Sequence, residues 1–387
     1  MSQYFFILGK VPQLSAWEII SYLGLTSKSY QYDMEYLVVQ PDSQIDSVKV
    51  IRQLGGTIKI GKVIARISAE QILTNPFWEK GLSEQDRPIF GISYYGSDRK
   101  TRQQVRNLGL QIKKRLKGKG KSSRFVVSKE PVLSSVVVAK NKLIKKGAEF
   151  VLLPDNQDII VGLTEVVQEF EEYSRRDYGR PSRDSRSGML PPKLAKMMIN
   201  LAQTKKEALL LDPFCGSGTI LQEAILMGYQ NLVGSDISKK AISDTKDNLK
   251  WLLQEYSLRA NYKLIESDSR VIYDQIPKPD SIITEPYLGP SRWQENQLPD
   301  IIRELSRLYL GFFRAASQVV ASGTPLVVIF PVWRVGTRLL HLPIAKQVEE
   351  IGFRAECLAP GKNNSNSIIY ERPRQKVLRQ IFVWRKR

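Results

Sequence analysis

The run Asp212-Pro213-Phe214-Cys215-Gly216-Ser217-Gly218-Thr219-Ile220, set directly behind Ala208-Leu209-Leu210-Leu211, constrains the fold more than any other stretch of the chain. An apolar run of strand length ends in a carboxylate, a glycine-rich turn follows, and a helical pattern begins at once. Elements in that order let a ligand approach bare backbone at the carboxyl edge of a parallel sheet. A dinucleotide-binding turn would read G-x-G-x-x-G and present its helix N-terminus to a pyrophosphate. Here the spacing is D-P-F-x-G-x-G-T, and Asp212 stands where it would repel a phosphate. A carboxylate at that point suits a nucleoside ligand with a cationic amino group, which is the chemistry of S-adenosylmethionine. A strand ending in a glycine turn is also a common structural unit.

Charge points to the partner. Lys and Arg number 58 against 39 Asp and Glu, a net +19 at neutral pH. An excess of that size favours a polyanion, nucleic acid ahead of an anionic membrane surface. A chain of 387 residues, 42% of them hydrophobic, has room for two or three domains with ample cores. No apolar run reaches the roughly 18 residues of a membrane span. The N-terminal Met1 to Lys10 has no basic region ahead of its apolar stretch and reads as a first strand, not a signal peptide. Two cysteines, Cys215 and Cys357, make neither a disulfide framework nor a metal cluster, and a lone His341 argues against a His-based triad or zinc site. No metal is expected, and the cytoplasm is the expected compartment.

The chain divides by pattern into domains at 1–84 and 85–168, a linker at 169–187 and a domain at 188–387. The first alternates strand and helix: Tyr4 to Leu8 as a strand, a helix from Leu14 with Ser15 as N-cap, a hairpin of Ser29–Tyr32 and Tyr36–Val39, a helix from Ile45 to Leu54 stopped by Gly55-Gly56, and a strand through Ile67. This β-α-β-β-α-β order is ferredoxin-like. In the second, Arg99 to Arg124 carries eleven basic residues and no acid, with Val105, Leu108, Ile112 and Leu116 at helical spacing. Gly118 and Gly120 end that helix, and a second runs from Leu133 to Lys146. Strands are expected at Phe90–Tyr95, Phe150–Leu153 and Ile159–Leu163. Arg99, Lys100, Arg102, Arg106, Lys113, Lys114, Lys117, Lys119, Lys121, Lys140 and Lys142 are the candidate phosphate contacts, though a charge run is often only a solvated face. Glu169 to Arg186 is a linker by composition. From Met189 strand and helix alternate: a helix opened by Pro191-Pro192 and running to Ala202, then strands near 208–212, 231–236, 262–266, 280–284, 324–330, 354–358 and 376–384. A doubly wound sheet of seven strands, its last two an antiparallel hairpin around a polar loop with Asn363-Asn364-Ser365-Asn366, fits that order.

Four of these strand ends bear acids. Asp212 ends the first, followed by Phe214, Gly216, Gly218 and Thr219 in the turn. Asp236 ends the second, with Ile237 after it, about twenty residues past the glycines, where an acid chelates ribose hydroxyls. Asp268-Ser269 follows the third, where an Asp can accept from an adenine amino group. Glu285 follows the fourth, ahead of Pro286-Tyr287. One acid at a strand end is usually a helix cap. Four in register behind a D-P-F-x-G-x-G turn form a binding constellation.

Asp212 to Ile220 resembles the first motif of Rossmann-like class I methyltransferases, and Thr284-Glu285-Pro286-Tyr287 resembles the [D/N]-P-P-[Y/F] motif of enzymes that methylate exocyclic base amines. Arg175-Arg176-Asp177-Tyr178-Gly179-Arg180-Pro181 and Gly188-Met189-Leu190-Pro191-Pro192-Lys193-Leu194-Ala195 resemble the segment before the catalytic domain in the archaeal and eukaryotic tRNA guanine-N2 methyltransferases. Leu133 to Lys142 is similar to the helix of their THUMP RNA-binding domain. The resemblance covers nearly the whole chain. It implies S-adenosylmethionine as cofactor, tRNA as partner, the guanosine at tRNA position 10 as target and a monomer without membrane attachment. Whether a small activator subunit joins it stays open.

The chemistry says what such residues are for. A guanine N2 lone pair is delocalised into the ring, so the amine is a poor nucleophile. A carboxylate from Glu285 and the carbonyl of Pro286 can each accept one N–H and aim the lone pair, and Tyr287 can stack on the base. Positioning supplies most of the rate, with proton acceptance beside it. The motif departs from the family at one place: Glu-Pro-Tyr-Leu-Gly-Pro has a longer acid and one proline fewer. A displacement of about 1 Å costs roughly a hundredfold. Two other readings therefore stand beside the first: a tRNA-binding protein that no longer transfers methyl, and a DNA amine methylase, against which the absence of a base-reading module argues.

Overall fold

The structure, a computed structural model, describes residues 2–75, 78, 82, 86–183, 189–357, 365–372 and 375–387. Gly188, residues 184–187 of the linker segment, the boundary at 84 and Asn363-Asn364 lie outside the described residues. The chain forms two units, Met1–Pro12 with Leu25–Phe170 and Gln13–Gly24 with Glu171–Arg387.

In the first unit, β1 (Tyr4–Leu8), β2 (Tyr30–Tyr32), β3 (Tyr36–Val39), β4 (Thr57–Ser68), β5 (Ile89–Tyr94), β6 (Arg124–Val126), β7 (Gly147–Asp155) and β8 (Asp158–Val167) make one sheet in the order β2-β3-β1-β4-β8-β7-β5-β6. β1 is apolar throughout and wholly buried, as a central strand must be. Antiparallel pairing of β4 with β8, from Lys59 opposite Val167 to Ser68 opposite Asp158, runs the sheet on from residues 1–84 into residues 85–168. A buried ion pair between Lys59 on β4 and Glu149 on β7 lies within it. Ser93 and Thr164 hydroxyls donate to the two Glu149 oxygens at 2.6 and 2.7 Å, and Lys59 also donates to the Leu133 carbonyl at 2.6 Å. Buried charge survives only when its remaining hydrogen bonds are met in this way.

The basic helix is Arg99–Gly118, capped by Asp98, whose carboxylate accepts from the Thr101 N–H at 2.6 Å. Val105, Leu108, Ile112 and Leu116 are buried in the unit's core, and the lysines and arginines take the other face. Gly120, at φ +77°, supplies the left-handed turn that ends it. The expected single helix from Leu133 to Lys146 is two, Ser135–Lys140 and Leu143–Lys146. Lys142 sits at φ 55° between them, and the Asn141 amide donates to the Val137 carbonyl at 2.8 Å, so a side chain closes the first helix before the second starts.

The second unit is a doubly wound α/β sheet. β9 (Leu209–Asp212), β10 (Asn231–Asp236), β11 (Asn261–Glu266), β12 (Ser281–Thr284), β13 (Pro325–Val335), β15 (Phe353–Ala355) and β17 (Val377–Lys386) run β11-β10-β9-β12-β13-β17-β15, with β14 (Arg338–His341) beside β13 and β16 (Ile368–Tyr370) beside β17. The sheet therefore has nine strands rather than seven; the extra two are antiparallel additions of four and three residues, too short for periodicity to reveal. β17 lies antiparallel between β13 and β15, as the terminal hairpin requires. The aromatic core joins Tyr309, Phe312, Phe313, Phe330, Phe353, Phe382 and Trp384 in edge and offset contacts of 4.8–6.2 Å.

Two further expectations change. Ser15 is no N-cap: the helix is Pro12–Leu23, and Ser15 is buried within it. Glu18 of that helix accepts from Asn200 of the helix Pro192–Ala202 at 2.8 Å. Where composition suggested a linker, Phe170–Tyr178 is helical. One of its charges is not solvated: Arg176 is buried and grips Glu223 at 2.7 and 3.4 Å, with Lys196 3.7 Å from the same carboxylate.

Candidate active site

Strand order reverses between β9 and β12, and parallel register aligns their ends: Gly234 of β10 lies opposite Asp212, and Ile282 of β12 opposite Leu211. A doubly wound sheet opens a crevice at such a switch point. A cavity of about 560 Å³ lies there, lined by Asp212, Phe214, Gly216, Thr219, Asp236, Ile237, Glu285, Pro286 and Tyr287, together with Met189, Leu190, Ser217, Ser238 and Leu308. Residues separated by more than seventy positions are thus brought together by register.

The turn after β9 is held from several sides. Gly216 and Gly218 take φ +52° and +80°, a region that costs other residues. A β-carbon at Gly218 would come within 2.8 Å of Thr245, whose hydroxyl donates to the Gly216 carbonyl at 2.7 Å. The Gly216 N–H donates to one oxygen of Asp236 at 3.0 Å, and the Ser238 N–H to the other at 2.9 Å. Arg180, buried, donates to the Thr219 hydroxyl at 2.7 Å where the helix Thr219–Leu226 begins.

Asp212 is 1% exposed. It accepts from the Thr284 hydroxyl at 2.7 Å and the Phe214 N–H at 3.2 Å. Burial pushes its carboxyl up to about 7; the two hydrogen bonds act against that, while Asp236 and Glu285 add to it. Among the described residues, only these hydrogen bonds favour its charged form.

Glu285 is also inside. Its carboxylate is clamped by Arg379 of β17, Nε to Oε1 at 2.5 Å and Nη2 to Oε2 at 3.4 Å. Burial raises the Glu285 carboxyl above its ordinary range, and the Arg379 charge and hydrogen bonds offset only part of that rise. Tyr287 is 53% exposed at the rim. Its carbonyl accepts from the buried Tyr309 hydroxyl at 3.3 Å, which fixes the loop and leaves the ring free.

Gly218, Asp268 and Ser269 are not among the lining residues. Asp268 is taken up by Arg270, whose backbone N–H, Nε and Nη2 donate at 2.8, 2.9 and 2.5 Å and hold its carboxyl below the usual range. Ser269 is buried. Sequence reasoning missed Arg379 and gave Thr284, the first residue of the quoted motif, no role of its own. Arg379 left one signal: it is the only charge between Val377 and Trp384, on an otherwise largely apolar strand. Of the candidate phosphate contacts in the first unit, Lys121 is half-buried and the others are exposed.

The family model for an RMKL-like methyltransferase domain matches residues 180–359, and one for a DNA methylase matches 103–247. The tRNA (guanine(10)-N2)-dimethyltransferase of Methanothermobacter thermautotrophicus is 35% identical over 145 residues, 37% of this chain and 39% of that protein. That of Methanocaldococcus jannaschii is 36% identical over 124 residues, 30% of this chain and 34% of that protein. A probable tRNA (guanine(10)-N2)-dimethyltransferase of Methanothermococcus thermolithotrophicus is 35% identical over 116 residues, 29% of this chain and 70% of its own length. The chain belongs to this family. It spans well under half the length of the first two relatives. The fold is that of class I methyltransferases: TrmN from Thermus thermophilus superposes over the whole of both chains with a TM-score of 0.56 at 15% identity. A possible methylase from Clostridium difficile covers 100% of this chain and 98% of its own at TM-score 0.51 and 13% identity.

Proposed function

We propose that the chain is an S-adenosylmethionine-dependent methyltransferase acting on the exocyclic N2 of a guanosine in tRNA, at position 10. One observation carries the reading: a single cavity holds a buried uncompensated acid on the glycine turn, Asp212, and the base-amine motif Glu285-Pro286-Tyr287. The cavity fits the cofactor. Asp212 offers a carboxylate to its ammonium, Asp236 has lone pairs left for ribose hydroxyls, and Phe214 and the exposed Ile237 give apolar walls to an adenine. When bound, S-adenosylmethionine supplies an electrophilic methyl on sulfur.

The chain's own residues do the rest. A guanine extruded from its stack enters by the rim and lies against Tyr287. Glu285 accepts one N2–H and the Pro286 carbonyl the other, which turns the lone pair toward the methyl donor. Glu285 takes up the proton as the new bond forms or afterwards. The first unit, with its basic helix and THUMP-like segment, grips the RNA by shape and phosphate. The DNA-methylase match leaves DNA as the second substrate to test. The chain is proposed to act in the cytoplasm as a monomer.

Labelled S-adenosylmethionine with unmodified tRNA, followed by nucleoside mass spectrometry, tests this. The expected product is N2-methylguanosine at position 10, and Glu285→Ala loses it. Binding of tRNA without transfer would support the non-transferring reading, and label in DNA alone would support the other. Transfer by the purified chain alone shows that no activator subunit is needed.

A further inference from the structure

The acid of the base-amine motif does not stand alone, and its partner comes from the far end of the chain. Glu285 follows β12 and Arg379 lies on β17, 94 residues later. β17 is not the neighbour of β12: β13 lies between them, and Arg379 is opposite Pro331 on it. Both side chains are largely out of water, 14% exposed for Glu285 and 4% for Arg379. Two donors of a planar guanidinium meet the two carboxylate oxygens, which fixes direction as well as charge. Arg379 Nη2 also reaches the Met189 carbonyl at 3.5 Å, on another wall of the cavity.

We propose that Arg379 is the positioning residue of the transfer site, holding Glu285 ionised and aimed in place of the shorter acid and second proline that related motifs use. The inference rests on the function proposed above. A glutamate has one more rotatable bond than an aspartate, and in a buried loop that freedom would scatter its oxygens. The clamp removes it. Each carboxylate oxygen keeps a lone pair for a substrate N–H, so the pair can orient the amine while already salt-bridged.

The other groups around Glu285 do not supply this charge. Asp212 from β9 is an acid and adds repulsion, Tyr309 from the helix Leu298–Val319 is held neutral by burial, and Tyr287 on the same loop turns its ring to solvent. Without Arg379, burial drives Glu285 to take up a proton. A protonated carboxyl then presents one acceptor oxygen fewer to the substrate amine.

The test compares wild type, Arg379→Lys, Arg379→Met and the double variant Arg379→Met with Glu285→Gln, all as full chains. Calorimetric binding of S-adenosylhomocysteine, retained at alkaline pH where Asp212 is ionised in every variant, shows that each is folded around its cavity. For Arg379→Met, kcat is expected to fall about a hundredfold with KM for tRNA unchanged. The acid limb of its pH–rate profile moves to higher pH, and Arg379→Lys recovers part of the rate. A second readout needs no activity. Without the Arg379 charge the folded-state pKa of Glu285 in Arg379→Met rises further above its wild-type value, so the melting-temperature deficit against wild type grows as pH rises, and the double variant removes that growth. An Arg379→Met chain with wild-type kcat or an unshifted acid limb overturns the proposal, as does a deficit that stays flat with pH. If wild type transfers nothing, the function reading fails, and the melting series still decides whether Arg379 holds Glu285 charged.

Discussion

At the scale of single residues, the site is two buried acids handled in opposite ways. Glu285 has its cation built in; Asp212, among the described residues, has hydrogen bonds and no cation, and its carboxyl is pushed up to about 7. Binding of S-adenosylhomocysteine, whose ammonium needs the ionised form, is therefore expected to tighten up to tenfold per pH unit below about 7 and to level off above it. Removing the Thr284 hydroxyl, which stabilises the charged form, should move that midpoint to higher pH, and Asp212→Asn should abolish the dependence; titration calorimetry from acid to alkaline pH reads both. The same raised pKa has a sign in stability. Asp212's own contribution to the stability of the ligand-free chain is full below the ordinary carboxylate range, ~4, and is lost as pH rises through about 7. The acids at Asp212, Asp236 and Glu285 were legible in sequence because each closes an apolar strand. Asp268 had the same signature but its carboxylate is engaged by Arg270 two residues on, a choice that strand-end position does not encode.

At the scale of elements, periodicity served where one face is buried. The helix Arg99–Gly118 has its apolar stripe where the spacing of Val105, Leu108, Ile112 and Leu116 puts it. Its two faces should therefore respond differently. Leu108→Ala, at a fully buried position, is expected to cost about 2–5 kcal/mol of stability in denaturant unfolding. Lys113→Ala with Lys114→Ala, on the exposed face, should leave stability within roughly 0.5 kcal/mol and weaken tRNA binding without regard to sequence. Loss of stability without loss of binding in the lysine pair would remove this helix from the RNA interface. Element boundaries failed where a side chain, not a pattern, ended the helix, as at Asn141, or where charges found partners instead of water, as at Arg176.

At the scale of the whole molecule, a net +19 is a statement about partners, not about fold. If six or more phosphates are contacted, tRNA affinity should fall about 10³-fold or more between roughly 50 and 200 mM salt. S-adenosylhomocysteine binding, which meets the buried Asp212 and not the exposed basic face, should change far less over the same range. A flat salt response of tRNA binding would assign the basic residues to solubility. Sequence by itself determined the α/β class, the glycine turn, the strand-closing acids and the basic helix, because these follow from local periodicity and from chemistry at fixed spacing. Tertiary structure alone decided which acids share a cavity, that β4 and β8 join the front strands into one sheet, and that Arg379 reaches Glu285. Strand order and register set those distances, and pairing between strands far apart in the chain leaves no local trace in the residues that take part.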